Sequence, residues 1–484
     1  MALLEAEITT THTDDADAIG KMQSVFMAQR RAFSADRQPT LTVRRQRLER
    51  IITMIEAGKE RIYQALAADF KTHSTGAADM FEVQPVILRA KFALNHLDEW
   101  MKSAPREVDA AYKGVMRAFV KSQPKGVVGN IAPWNFPFEI GLGPMVDIIA
   151  AGNRFMLKPS EFTPACAALM QEMVAEHFAE DLAYVAVGGL ELAHAFTALP
   201  FDHLVYTGSS NVGKLIMAAA AKNLTPVTLE LGGKCPAVFL PGSVTAAVVN
   251  TVIGVKSIKN GQMCVSVDHC FVPRADIDTF VHIATEFMTA AMPGYSRSQA
   301  CTGIISDGHL ERIADMLAEA EARNVRTLTL ETDGRVDRQT RQMPLTLVLE
   351  PPSDLRIMQE EIFGPILPVI PYDEVSEVIE RINAGDRPLG VYVMGDDVPV
   401  IDRVLSETVS GGAAVNAAAI QAGLKALGFG GVGMSGMGRH HGEDGFREFS
   451  NQRGFVVRGE GPHFDEFVSP DQNAAELIGQ IPAG

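Results

Sequence analysis

Between residues 126 and 233 short apolar runs alternate with helix-like stretches, and this rhythm restricts the fold more than any other feature of the chain. The runs 126–133 (GVVGNIAP), 153–160 (NRFMLKPS), 203–208 (HLVYTG) and 225–233 (TPVTLELGG) have the length and composition of buried strands. Helical patterns fill 137–152 and 163–180, and a third opens at 209 with Ser209 or Ser210 as its N-cap. Strand and helix joined by short links predict an α/β fold: a parallel sheet covered on both faces. A second alternating region runs from about 235 to 415, with helices near 243–260, 273–291 and 308–323. Ahead of both, residues 20–70 carry helical periodicity, with Ile51, Ile52, Met54, Ile55, Ile62, Leu66 and Phe70 on one stripe. Residues 80–104 read as another helix, 113–123 as a hairpin or extended arm, and 428–445 as mostly loop. The segment 9–17 reads as a solvated tail, and the last thirty residues carry little core.

Charge and cysteine usage remove whole classes of function. A net charge of −16 leaves no face suited to a nucleic-acid backbone, although one small phosphate compound is not excluded by it. Five cysteines in 484 residues, an odd number with no CxxC pair, predict reduced thiols and a cytoplasmic protein. No apolar run is long enough to span a membrane, and no basic n-region precedes an apolar core at the N-terminus. The HHGED segment at 440–444 lacks HExxH spacing and reads as a polar loop, so no metal is expected.

Several short motifs have the residue types of a reactive site, and each has a plainer reading. GSSNVGK at 208–214 approaches a P-loop, but Leu215 stands where the Mg²⁺-binding hydroxyl belongs. What remains is a strand, a turn and a helix N-terminus, which favours an anion, though any βα turn looks the same. In KPSE, Lys158 and Glu161 follow a strand, where open α/β sheets bind ligands. A carboxylate there accepts ribose hydroxyls and repels a 2′-phosphate; an exposed Lys–Glu pair of little consequence is the alternative. NGQMCV contains the lone Cys264, ELGGK puts Glu230 at a strand end, and PWNFP fixes the backbone around Asn135 between two prolines. A buried structural cysteine, a paired glutamate and a rigid turn are the corresponding bland readings.

Together PWNFP, LKPSE, YTGSSNVG, ELGGK, GQMC and EEIFGP (360–365) resemble the aldehyde dehydrogenase superfamily, in its order, over about residues 25–455. FGGVGMSGMGRHHGEDGFREFS resembles its class 3 branch, and DHLVYTGS with LTPVTLELGGK looks most like the bacterial coniferyl aldehyde dehydrogenases. The resemblance implies a Rossmann-type NAD-binding domain, an α/β catalytic domain and a small oligomerisation arm. Residues 1–105 would supply N-terminal helices of the NAD-binding domain, 106–125 the arm and 126–231 the NAD-binding core. Residues 232–415 would form the catalytic domain, 416–445 the return to the NAD-binding domain, and 446–484 a C-terminal oligomerisation and tail segment.

The same resemblance implies roles. Cys264 would add to an aldehyde carbon, and the amide of Asn135 with the backbone N–H of Cys264 would hold the oxyanion. Glu230 would activate water against the resulting thioester. Trp134, Lys158, Glu161, Gly208, Ser209, Gly213, Leu231, Glu361 and Phe363 would bind the cofactor, with Glu360 a mere neighbour. Glu161 favours NAD, while class 3 relatives accept NADP as well. The expected partner is a hydrophobic aldehyde, aromatic or medium-chain, with Phe138, Met145 and Met263 as pocket candidates and a homodimer as the assembly. Departures from the family pattern are Met263, where Thr is frequent, and Tyr206, where Phe is frequent. The rivals are a CoA-acylating relative, which generally lacks the ELGGK glutamate, a silent relative, and a P-loop nucleotidase.

Overall fold

The computed structural model describes residues 14–459 apart from 111–112, 115 and 333. Six strands form one sheet in the order Gly436–Met437, Val227–Leu231, His203–Gly208, Val127–Ile131, Arg154–Lys158, Ala183–Val185. Its last five strands are parallel, and Gly436–Met437 closes the edge antiparallel. Helices cover both faces, as an all-parallel apolar sheet requires. On one side Leu41–Phe70 and Gln84–Trp100 pack with Pro137–Ala150 and Pro164–His177 over Val128, Phe155 and Leu157. On the other, Met22 and Phe26 of Asp14–Ala35 pack with Leu192, Phe196 and Ile216 over Val127, Met156 and Leu204.

A second sheet has seven strands in the order Arg326–Thr329, Thr346–Leu349, Ile366–Tyr372, His269–Pro273, Pro236–Phe239, Gly390–Met394, Gly412–Val415. All are parallel except Arg326–Thr329. Helices Ala246–Ser257 and Ile277–Ala291 cover one face, and Val375–Ala384 and Val398–Glu407 the other. Met116–Pro124 is the middle strand of a third, antiparallel sheet, between Ala104–Arg106 and Ser450–Arg458. The expected hairpin or arm at 113–123 is therefore completed by the chain's far end.

Two expectations need correction and two gain detail. The solvated tail becomes helical at Asp14, and Asp15 Oδ1 accepts the Gly189 amide at 3.1 Å; residues 1–13 lie outside the described residues. The helical stretch 20–70 breaks before Pro39, and Thr40 caps the second helix by accepting from the Val43 amide at 3.3 Å. The stretch 428–445 is mostly loop, as expected, interrupted by the Gly436–Met437 strand and the start of the helix Gly442–Glu448. The last described residues form the nine-residue strand Ser450–Arg458, and 460–484 lie outside the described residues.

Candidate active site

The residues singled out in the first sheet follow or end its strands. Trp134 and Asn135 lie just beyond Val127–Ile131, Lys158 ends Arg154–Lys158, Ser209 follows His203–Gly208, and Glu230 sits in Val227–Leu231. Carboxyl ends of parallel strands are where such sheets leave a crevice. Ser209 is the N-cap of Ser210–Ala221, its hydroxyl accepting from the Val212 amide at 3.4 Å. Gly213 lets that helix approach the sheet, since a Cβ there would lie 2.8 Å from Leu231 Cδ2. At Gly208 a Cβ would lie 2.2 Å from the Tyr206 hydroxyl.

Cys264 follows Ala246–Ser257 through an unusual backbone run. Lys259, Asn260 and Gly261 all have positive φ (50°, 55° and 79°). A Cβ at Gly261 would lie 2.3 Å from the Gly364 carbonyl oxygen, so only glycine permits this contact between the GQMC and EEIFGP segments. Gln262 fixes the turn: its Nε2 donates to Lys259 O (2.8 Å) and Gly303 O (3.1 Å), and its Oε1 accepts the Ile305 amide at 3.1 Å. Its carbonyl accepts from Asn135 Nδ2 at 3.0 Å. That bond ties the PWNFP turn to the cysteine loop and leaves the second amide hydrogen of Asn135 for another acceptor.

Glu361 enters from the opposite side. Its carboxylate lies against Gly232 and Gly233, and a Cβ at Gly232 would sit 2.0 Å from Glu361 Oε2. Lys234 pins this segment through Asp268 (2.5 Å), Ile357 O (2.8 Å) and Glu360 O (2.8 Å), while Asp268 Oδ2 accepts the Ile362 amide at 3.0 Å. Glu360 pairs with Arg356 at the surface, so of the two carboxylates in EEIFGP it is Glu361 that turns inward. Phe363 meets Trp134 edge-on at 5.3 Å, and His309 meets Trp134 at 5.2 Å.

Burial dominates the electrostatics here. It pushes the Cys264 thiol well above its ordinary range, and Glu361, Cys235 and Glu230 reinforce it; the cysteine's own amide opposes. It also pushes Glu230 well above the carboxylate range and Glu361 up to about 8. Both oxygens of Glu230 and Oε1 of Glu361 are buried with no hydrogen-bond partner. Glu161 goes the other way. Burial works against its charge, but Lys158, itself buried and 2.7 Å away, holds it below the usual range.

The structure thus draws Cys264, Glu230, Asn135, Glu361 and Phe363 to one place, with Lys158, Glu161 and Ser209 on neighbouring strand ends. Phe138 and Met145 do not line it: both are fully buried in the helical core. Met263 is 6% exposed. Ala419, Ala422 and Phe429 pack on the cluster that holds Cys264, and Ile420, Leu424 and Leu427 are exposed. The HHGED reading also needs correction, since His440 and His441 are buried, not part of a solvated loop. Gln262 and His309 were missed. Gln262 carried a signal, its place inside GQMC; His309 carried none.

Two α/β sheets meeting around a half-buried thiol, a buried carboxylate without a hydrogen bond and an amide donor fit an oxidoreductase site of the aldehyde dehydrogenase type. The aldehyde dehydrogenase family model matches residues 5–454, and the chain belongs to that family. A probable coniferyl aldehyde dehydrogenase of Caulobacter vibrioides is 40% identical over 436 residues, covering 89% of this chain and 90% of its own. Aldehyde dehydrogenase family 3 member A2 of Rattus norvegicus is 33% identical, covering 89% and 87%. The substrate-bound Staphylococcus aureus AldH superposes with a TM-score of 0.89 at 29% identity, covering 95% of this chain and 98% of that one. A Mycobacterium tuberculosis aldehyde dehydrogenase complexed with NAD+ gives 0.79 at 26%, covering 91% and 90%. These likenesses support a nicotinamide cofactor. Among the described residues no helix is long and apolar enough to cross a membrane.

Proposed function

We propose that this chain oxidises hydrophobic aldehydes, coniferyl and other aromatic ones or medium-chain aliphatic ones, to carboxylic acids, with NAD preferred to NADP. The carrying observation is Glu230: a carboxylate buried to 3% exposure, without a hydrogen-bond partner, and within the electrostatic reach of the Cys264 thiol. Neither a structural pair nor a solvated face explains it.

The residues present fit a dinucleotide. Glu361 Oε1 is an orphaned buried acceptor, Gly232 leaves a cradle that a Cβ would fill, and the buried Lys158 orients Glu161. Lys158 and Glu161 would take the adenosine ribose, and Ser209 with Gly208, Gly213 and Leu231 the pyrophosphate turn. Glu361, Phe363 and Trp134 would take the nicotinamide end. Such a cofactor, when bound, supplies the hydride acceptor that converts a thiohemiacetal to a thioester. Glu161 would repel a ribose 2′-phosphate, which is the basis of the NAD preference.

The protein's own part begins with the Cys264 thiol losing its proton to solvent and the thiolate adding to the aldehyde carbon, whose C=O π pair moves onto the oxygen. The free N–H of Asn135 and the Cys264 amide steady the oxyanion, and one such donor contributes roughly 3–4 kcal/mol. Once the thioester exists, Glu230 takes a proton from water, hydroxide adds to the acyl carbon, and the C–S bond breaks with the thiolate leaving. Ile420, Leu424 and Leu427, exposed on the segment whose Ala419 and Ala422 pack on the same cluster as Cys264, would form an apolar rim for a hydrophobic aldehyde. The five free cysteines fit a cytoplasmic protein. Exposed Val212, Leu215 and Met217 on Ser210–Ala221 fit burial against a second copy in a homodimer.

NAD reduction with coniferyl aldehyde, benzaldehyde, octanal and succinic semialdehyde tests the reading, alongside Cys264→Ala. Turnover of the hydrophobic aldehydes that vanishes in Cys264→Ala is expected. Succinic semialdehyde as the best substrate overturns the substrate class, and surviving turnover in Cys264→Ala overturns the mechanism.

A further inference from the structure

A carboxylate buried without partners takes up a proton, and a protonated carboxyl cannot accept one from water. Glu230 therefore needs a donor to hold its charge at the moment it acts as base. The structure brings one close: His440 Nε2 stands 3.8 Å from Glu230 Oε1, and a shift of under about 1 Å brings it into hydrogen-bond range.

The histidine's tautomer follows from its other side. His440 Nδ1 lies 2.7 Å from Arg89 Nη2. A guanidinium can only donate, so Nδ1 must accept, and the ring proton of a neutral imidazole then sits on Nε2, facing Glu230. Arg89 is held in turn by Asp147, which accepts from its Nε at 3.3 Å and from Nη2, and Asp147 Oδ2 also accepts the His441 amide at 3.0 Å. Arg89 and Asp147 are 3% and 1% exposed, so water does not compete for these bonds. The backbone that carries the ring is held as well, because Phe429 and His440 exchange main-chain hydrogen bonds of 2.7 and 2.9 Å. Burial, with Arg89 adding to it, keeps the imidazole far below its ordinary pKa and hence neutral.

We propose that His440 is a positioning residue for Glu230: its Nε2–H, locked by Arg89 and Asp147, receives one carboxylate oxygen and leaves the other turned to water. This rests on the reading of Glu230 as the base. The proton balance is unchanged by it: water loses a proton to Glu230, and His440 keeps its own. The other groups that face Glu230 do not supply this contact. Arg439 donates Nη1 to Gly411 O at 3.1 Å, Glu448 accepts from Thr228 Oγ1 at 2.7 Å, Arg89 gives Nε and Nη2 to Asp147 and His440 while its Nη1 stands 3.8 Å from Glu139 Oε1, and the Cys264 thiol is the reaction partner.

The test uses the full-length enzyme with NAD and benzaldehyde, in single-turnover and steady-state modes across pH, with melting temperature as the folding control. His440→Phe keeps a ring and removes the donor; His440→Gln keeps an N–H near the depth of Nε2 and an acceptor for Arg89. For His440→Phe, kcat should fall about 10–100-fold and the acidic limb of its pH profile should move up by about one unit, with the first-turnover NADH burst intact. His440→Gln should restore most of both. Parental rate and pH profile in His440→Phe overturn the proposal. So does His440→Gln behaving like His440→Phe, or loss of the burst along with turnover in both. A Glu230→Gln enzyme that turns over at the parental rate would instead overturn the assignment of the base itself.

Discussion

Removing the ammonium of Lys259 should destabilise this protein more than almost any single surface change. Lys259 Nζ lies 2.6 Å from Glu82 Oε1, and both side chains are fully excluded from solvent. The ammonium also rests over the rings of Phe70 (4.6 Å) and Phe136 (4.8 Å). Glu82 Oε2 accepts the amides of Phe138 and Glu139 at 3.0 and 3.1 Å, at the start of Pro137–Ala150. One ion pair thus joins the backbone run before Cys264 to the turn that carries Asn135. Lys259→Met leaves Glu82 buried and unpaired, which costs about 3–5 kcal/mol. In Glu82→Gln/Lys259→Met the glutamine oxygen still serves the two amides and no charge remains, so about 2 kcal/mol or more should return. Urea unfolding followed by the two tryptophans, Trp100 and Trp134, measures both. A Lys259→Met protein within about 1 kcal/mol of the parent, or a double variant as damaged as the two singles combined, refutes the argument.

Gly232→Ala would drive a methyl into the Glu361 carboxylate, and the KM for NAD should rise about tenfold with the melting temperature nearly unchanged; an unaltered KM would show that Glu361 does not hold the cofactor. Glu161→Gln removes the charge set against a 2′-phosphate, so the ratio of kcat/KM for NADP to that for NAD should rise about tenfold, and a constant ratio would refute the repulsion. Because Glu230 helps hold the Cys264 thiol above its ordinary pKa, Glu230→Gln should speed iodoacetamide alkylation at pH 8 by about 3–10-fold. Slower alkylation would mean that the glutamate serves the thiol as a base.

What the sequence made legible was whatever depends on neighbours along the chain. The strand 203–208 coincides with His203–Gly208, and the choice between Ser209 and Ser210 resolves to Ser209 because its hydroxyl reaches the Val212 amide. GQMC, ELGGK and PWNFP each mark one corner of the site for the same reason: a local backbone shape dictates their residue types. The polar contacts behind them have no such signature. Glu82 and Lys259 are 177 positions apart, and Arg89 and His440 are 351 apart. No motif of the sequence singles out Lys259 or Glu82, and His440 reads as part of a polar loop. Only the fold shows that each is buried with a partner. The pocket assignment failed likewise. Phe138 and Met145 are apolar and near PWNFP in sequence, but the helix that carries them turns them into the core.

Burial acts alike on four acids of this site, and a lysine overrides it at only one of them; the difference sorts their work. Cys264, Glu230 and Glu361 are all pushed toward their neutral forms. Because Glu230 and Glu361 each raise the thiol, electrostatic reciprocity means a thiolate also disfavours their charge. The pocket therefore tolerates little negative charge at once, and the proposed nucleophile and base are ionised more easily in succession than together. A two-stage reaction asks for that order: sulfur is anionic while it attacks, and the carboxylate is needed only after sulfur has become part of a neutral thioester. Glu161, held charged by Lys158 at another strand end, stands outside this exchange, which suits a residue that recognises a ligand and transfers no proton.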